Sequence, residues 1–164
     1  MRILLMSTPA AGKTTFWRKY GGVDGGGHRG SKGGIKKQGN YKNITLMDQP
    51  YSGAGSQASI KRYFSLMNYD RKKPANELKP ICFLGGKFHL PATKHKDITF
   101  LCVILSDEKL MENCELRKEG GKFPNRKWAN INRVLDYKKK LVEYINRYGI
   151  KSFDSFEQAL DSVI

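Results

Sequence analysis

The N-terminal stretch Arg2-Ile-Leu-Leu-Met6, then Ser7-Thr-Pro-Ala-Ala-Gly-Lys-Thr-Thr15, then Phe16-Trp-Arg-Lys-Tyr20 decides the fold. Its short, unbroken apolar run reads as a buried strand, the Pro- and Gly-containing segment as a loop, and the aromatic and basic segment as a helix. Outward from it the same order recurs. Asn43-Ile-Thr-Leu-Met-Asp48 is a second apolar run ending in an acid, followed by Gln-Pro-Tyr-Ser-Gly-Ala-Gly55 and a stretch whose Ile60, Tyr63, Phe64 and Met67 return at helical spacing. Pro80-Ile-Cys-Phe-Leu-Gly85 and residues 97–105 are further buried strands. Near-continuously apolar strands separated by helical patterns are how a parallel sheet covered on both faces reads. The predicted architecture is therefore a three-layer α/β/α fold with a mainly parallel sheet. Right-handed crossovers would bring every strand-to-helix loop to one carboxyl edge, where a ligand belongs.

The second half supplies helix boundaries. Ser106 reads as an N-cap with Asp107 and Glu108 in the favourable first turn, opening a helix to about Lys118. Glu119-Gly-Gly-Lys-Phe-Pro-Asn125 interrupts it. A long helix then carries Trp128, Ile131, Val134, Leu135, Leu141, Ile145 and Tyr148 on one stripe, ended by Gly149, and Ser155 with Gln158 forms a capping box for a last short helix. Between the first helix and the second strand, residues 21–40 are rich in glycine and carry His28, Arg29, Lys32, Lys36 and Lys37 against one acid, Asp24. Such a segment holds no core and reads as a basic loop with one short strand around Val23. Nothing repeats, and 164 residues with 39% hydrophobic content suit a single domain, 1–164.

Thirty Lys and Arg against fifteen Asp and Glu leave a net charge of +15. Self-repulsion on that scale is best tolerated when a polyanion neutralises it, which points first to nucleic acid; a lysine-rich solubilising surface is the plain alternative. Cys82, Cys102 and Cys114 show no metal-ligand spacing, and two of them sit inside apolar runs as buried thiols, a usage that suits a reducing cytoplasm. No run approaches the length of a membrane span, so a cytoplasmic protein with no membrane partner is expected.

Gly12-Lys13-Thr14, after a strand and before a helix, fits the end of G-x-x-x-x-G-K-[ST]. In that pattern backbone N–H groups face phosphate oxygens, the lysine bridges the β- and γ-phosphates, and the hydroxyl binds Mg²⁺. Ser7, Ala10, Ala11, Gly12, Lys13, Thr14 and Thr15 would line the cradle. Ser7 stands where the first glycine belongs; if that position requires a positive φ, the serine stores strain. Asp48, at the carboxyl end of a buried strand, falls on the same predicted edge, and its plain alternative is a strand-end turn acid. Asp24 lies among glycines that permit close approach of a substrate, and its alternative is a solvated loop acid.

On these residues the sequence resembles the P-loop kinase superfamily, over about 1–147, with the phosphate loop as its specific part. The resemblance implies a P-loop NTPase fold, ATP and Mg²⁺ as cofactors, and an acid at the end of the second or third strand that acts as base or holds magnesium through water. Asp24 and Asp48 match those acid positions. It also implies a lid between two late helices; the segment 117–126 with Arg117, Lys118, Lys122 and Arg126 matches it. Asp48 and Thr14 would then serve the metal, Lys13, Asp48, Asp24, Arg117 and Arg126 the chemistry, and His28, Arg29, Lys32, Lys36 and Lys37 the acceptor. Phosphoryl transfer itself asks for these parts: metal, cations on the γ-phosphate oxygens, and an acid aimed at the acceptor hydroxyl.

The expected function is thus transfer of a γ-phosphate to a hydroxyl of a nucleic acid or nucleotide. Polynucleotide 5′-kinases and the phage-type kinases of hydroxymethylated DNA bases are the nearest kinds. A mononucleotide or small-metabolite kinase of the same fold and a non-catalytic nucleic-acid-binding protein with a phosphate clamp are the alternatives. Lesser signals are an anion nest at Tyr51-Ser-Gly-Ala-Gly-Ser56, a glycine-rich turn at Gly85-Gly-Lys-Phe-His89, and Trp17, Tyr20, Tyr41 and Tyr51 as base-stacking or core aromatics.

Overall fold

The computed structural model describes residues 1–24, 35–48, 80–85, 98–119 and 129–164. Strand β1 (Arg2–Ser7) leads into helix α1 (Lys13–Lys19), then β2 (Val23–Asp24), β3 (Ile35–Lys37), β4 (Gly39–Tyr41) and β5 (Ile44–Met47). They are followed by β6 (Ile81–Gly85), β7 (Thr99–Val103), α2 (Asp107–Glu119), α3 (Ile131–Tyr148), β8 (Lys151–Phe153) and α4 (Phe156–Asp161). Six strands form one sheet in the order β4-β5-β6-β1-β7-β8, parallel throughout except for the antiparallel edge pair β4–β5. The fold is α/β, as the apolar runs predict.

Alternation along β1 explains why the sheet is buried on both sides. Ile3 and Leu5 join Phe16 and Trp17 of α1 and Phe156, Ala159 and Leu160 of α4 in one apolar cluster. Leu4 and Met6 face the other way and join Cys102, Leu141 and Ile145, the last two from α3. Two-sided burial of this kind removes the polar face that would otherwise interrupt each strand. Helix α2 packs on the inner flank of α3 through Leu110, Cys114 and Val134. Boundaries follow their predicted caps: Lys109 N donates to Ser106 Oγ at 3.2 Å, Gly149 ends α3 in the left-handed region, and Gln158 N donates to Ser155 Oγ at 3.1 Å.

The glycine-rich segment differs from its reading as a loop with one strand. Val23–Asp24 pairs with Ile35–Lys37 in a separate antiparallel ribbon, and Gly39–Tyr41 is the edge strand of the main sheet. The reason is Trp17, which lies 1% exposed beneath this segment. A Cβ on Gly39 would stand 3.0 Å from the Trp17 carbonyl oxygen and 3.3 Å from Leu46 Cβ, so only a bare backbone fits between helix and strand. Gly22 is tighter still, its missing Cβ overlapping the Trp17 ring. Gly22→Ala is therefore expected to destabilise the fold by about 1–3 kcal/mol through overpacking. A denaturation midpoint equal to that of the parent would show that the indole can move aside.

The β4–β5 connection is a two-residue turn with positive φ at Lys42 (+45°) and Asn43 (+71°), the signature of a type I′ hairpin. Helix α4 is tied to this edge by Tyr41 Oη and Lys42 Nζ on Asp161 Oδ1, at 2.9 and 2.7 Å, and to α1 by Lys19 Nζ on Glu157 Oε1 at 2.7 Å. Among the described residues, no helix is long and apolar enough to cross a membrane.

Candidate functional site

The chain leaves β1 through α1 towards the β4 edge, and leaves β7 through α2 and α3 towards the β8 edge. Adjacent parallel strands whose connections depart in opposite directions open a crevice at their carboxyl ends, the place where open α/β sheets take ligands. Residues 8–12 lie in that crevice. Sheet order thus positions the loop that local sequence only outlines.

Strain is not where the serine substitution suggests. Ser7 is the last residue of β1, fully buried, in register with Val103, and its φ is not positive. The left-handed residues are Ala10 (φ +64°) and Gly12 (φ +87°). A side chain at the first glycine position is therefore accommodated as ordinary strand, while Ala10 bears the turn. At Gly12 the positive φ comes with open space, since a Cβ there would meet nothing within 4 Å.

Lys13 folds back over this turn. Its Nζ donates to the Thr8 carbonyl oxygen at 3.1 Å and to Ser7 Oγ at 3.3 Å, so the hydroxyl that replaces the first glycine helps to hold the ammonium group. One residue on, Thr14 Oγ1 donates to Asp48 Oδ2 at 2.8 Å. Asp48 follows β5, two strands from β1, and is 7% exposed. The two meet because α1 leans across β6, with Phe16 and Trp17 packing against Tyr41, Ile44 and Leu46. Ala11 is buried and Thr15 exposed. A cation, a hydroxyl and a carboxylate thus stand together at one edge of the sheet.

Cys102 lies behind the loop, paired in register with Met6. Burial pushes its thiol up to about 12, against the pull of the Lys13 charge, and burial likewise raises Cys82. Both stay protonated near neutrality and behave as apolar side chains. Among the described residues no three His, Cys, Asp or Glu side chains group closely enough to hold a metal by themselves.

The remaining candidates are placed as follows. Asp24 belongs to the separate ribbon and not to the six-stranded sheet. Lys36 and Lys37 are in β3, with Lys37 exposed. The ribbon follows the far end of α1, where Gly22 N donates to the Trp17 carbonyl at 3.0 Å, one helix length from Lys13. Arg117 lies in the last turn of α2, half-buried, one turn beyond Asn113. His28, Arg29, Lys32, Lys122 and Arg126 lie outside the described residues, as do Tyr51–Ser56 and residues 86–89. Trp17 and Tyr41 are core residues, with Tyr20 packed against them, so these three are not available for stacking on bases.

Asn113 was not legible as a functional residue. Its Nδ2 donates to the Ala10 carbonyl oxygen at 2.7 Å across 103 residues of sequence, while Leu110 and Cys114 pack on Ala10 from the same helix face. This bond fixes the one left-handed alanine of the loop. Asn113→Asp, which offers an acceptor to an acceptor, is expected to lower stability by about 1–3 kcal/mol and to increase hydrogen exchange at residues 8–13. Unchanged exchange at those amides would remove the latch.

No family model matches this sequence, and a search of the curated proteins returns no match.

Proposed function

We propose that the chain is an ATP-dependent phosphotransferase of the P-loop kinase type, moving the γ-phosphate of a nucleoside triphosphate to a hydroxyl on a nucleic acid or nucleotide. The observation that carries this reading is the hydrogen bond from Thr14 Oγ1 to Asp48 Oδ2 at 2.8 Å, one residue from a lysine folded over a phosphate-loop turn. The three-layer α/β/α P-loop fold belongs to the same reading. It is supported by the central position of β1 and by helices against both faces of the sheet.

The residues fit Mg²⁺. A hydroxyl and a carboxylate are hard oxygen donors, and a magnesium ion that keeps several waters needs only one or two of them together with substrate phosphates. Thr14 and Asp48 would hold it, and it would neutralise charge on the β- and γ-phosphate oxygens. The residues do the rest. Lys13 pairs with the same oxygens, its strand-end acceptors Ser7 and Thr8 keeping the ammonium group aimed over the turn. The open space at Gly12 admits phosphate close to the backbone. The acceptor hydroxyl oxygen bonds to the γ-phosphorus as the bond to the β–γ bridging oxygen breaks, and the hydroxyl proton goes to an ionised carboxylate. Asp48, at this edge, is the first choice for that carboxylate or for the metal, and Asp24, in the ribbon beyond the far end of α1, the second. The surplus of positive charge, far beyond what one triphosphate requires, favours a polymeric acceptor.

The deciding assay is transfer of labelled γ-phosphate from ATP to free nucleosides, mononucleotides, 5′-hydroxyl oligonucleotides and base-modified duplex DNA. Label on an oligonucleotide or duplex that depends on Lys13 supports the reading. Label on none of them, from protein that binds ATP, excludes phosphotransfer to these acceptors.

A further inference from the structure

Of the four exposed cations on helix α3, Arg133, Lys140 and Arg147 stand at intervals of seven residues, with Lys139 on another side. Seven residues make nearly two turns, so the three stand almost in line along the helix, about 10.5 Å apart. Tyr137 and Tyr144 share this flank and pack by their inner sides on the sheet's second apolar cluster. Tyr148 continues the line, its ring centroid 4.7 Å from that of Tyr144. The acids of the helix, Asp136 and Glu143, project from the neighbouring, more outward line. Asp136 Oδ2 lies 3.2 Å from Lys140 Nζ, but both partners are 64% exposed, and such a pair yields readily to a phosphate. Lys138, by contrast, turns to the other flank and bonds Asp107 of α2 at 2.6 Å.

The line has a direction. Because β8 runs parallel to β7, α3 must start at the carboxyl edge of the sheet and return to the opposite edge. Its first turns border an open concavity of about 430 Å³, lined by Arg133, Tyr137 and Lys140 with Asn130, Asn132 and Asp136. Val134, on the same first turns, joins Ala10 of the loop in one apolar cluster, and Tyr137 packs on the cluster that holds Met6 and Cys102 at the neighbouring strand ends. The head of the line is therefore at the candidate site.

We propose that the Arg133–Lys140–Arg147 flank of α3 is a track for the backbone of a nucleic acid, delivering its reacting end to the phosphate loop. This rests on the phosphotransferase reading only for the direction of delivery. Guanidinium groups chelate phosphate oxygens, and the half-buried Tyr144 and Tyr148 offer ring surface to the nucleotides they flank, whereas the Tyr137 hydroxyl is buried. Cations about 10.5 Å apart are far enough from one another for each to take a separate phosphate of a backbone laid along the helix. A membrane surface would instead call for large apolar side chains pointing outward beside the cations, and on this flank the apolar surface faces in.

The test is oligonucleotide binding by the full chain, followed by fluorescence anisotropy across a range of salt. The triple variant Arg133→Gln, Lys140→Gln, Arg147→Gln is compared with an equal loss of charge elsewhere, Lys109→Gln, Lys139→Gln, Lys151→Gln. For single-stranded DNA the first should lower the slope of log affinity against log salt by about 2 and weaken binding about tenfold or more at low salt. The second should stay close to the parent, and both should melt like it. Equal falls in the two variants, or no fall in either, overturn the track, as does binding to phosphatidylserine vesicles with none to oligonucleotides. ATP binding is measured alongside. If the parent protein binds no ATP, the phosphotransferase reading fails while the oligonucleotide titration still decides the track.

Discussion

Lys13→Ala is expected to slow phosphoryl transfer on the order of 10³-fold or more, with a smaller loss of ATP affinity. An ammonium group that meets the β- and γ-phosphate oxygens gains most where charge develops, in the transition state, so turnover suffers more than binding. Its removal leaves the Thr8 carbonyl and Ser7 hydroxyl without the donor that now lies 3.1 and 3.3 Å away. That costs about 1 kcal/mol, or roughly 2–4 °C in Tm for a chain of this size, so the fold survives. Steady-state transfer rates read beside a thermal melt separate the two effects. A folded Lys13→Ala protein with full activity would remove the phosphotransferase reading altogether.

Asp48→Asn is expected to leave nucleotide binding largely intact while turnover falls on the order of 10³-fold. The amide oxygen can still accept the Thr14 hydroxyl that now donates to Asp48 Oδ2 at 2.8 Å, so the local geometry holds and only the negative charge is lost. Asp48→Ala removes the acceptor as well and should additionally cost about 1–3 kcal/mol of stability, because the part-buried bond between Thr14 Oγ1 and Asp48 Oδ2 is lost. Kinetics of the two variants with nucleotide-binding titrations make the distinction. If Asp24→Asn proves the damaging change and Asp48→Asn is nearly silent, the acid of the site lies in the ribbon of β2 and β3 and not at the end of β5.

Elements that depend on near neighbours were legible. Ser106, Gly149 and Ser155 stop or start helices through bonds that span at most four residues, and each does so where the pattern placed it. The hairpin at Lys42–Asn43 carries no such local signal, because the glycine that usually marks a type I′ turn is missing; Asn43 tolerates positive φ and Lys42 is carried along by the pairing of β4 with β5. Residues 21–40 read as a basic loop with one short strand around Val23 because their own side chains offer little to bury. The strand Gly39–Tyr41 comes from a partner, β5, and from an indole that needs a glycine beside it.

By itself the sequence determined that β1 is a buried strand opening into a glycine loop and a helix, that further apolar runs make an α/β sheet, and that the charge is strongly positive. Periodicity, capping chemistry and composition act over a few residues, so they can be read without the fold. The tertiary structure decided the strand order, and with it that Asp48, thirty-four residues from Thr14, closes on its hydroxyl. It decided that Ala10 and not Ser7 takes the left-handed turn, because Asn113 holds the Ala10 carbonyl from across the chain. Such contacts join residues that the chain brings together only when helices pack on both faces of the sheet, and no local pattern records which strand will lie next to which.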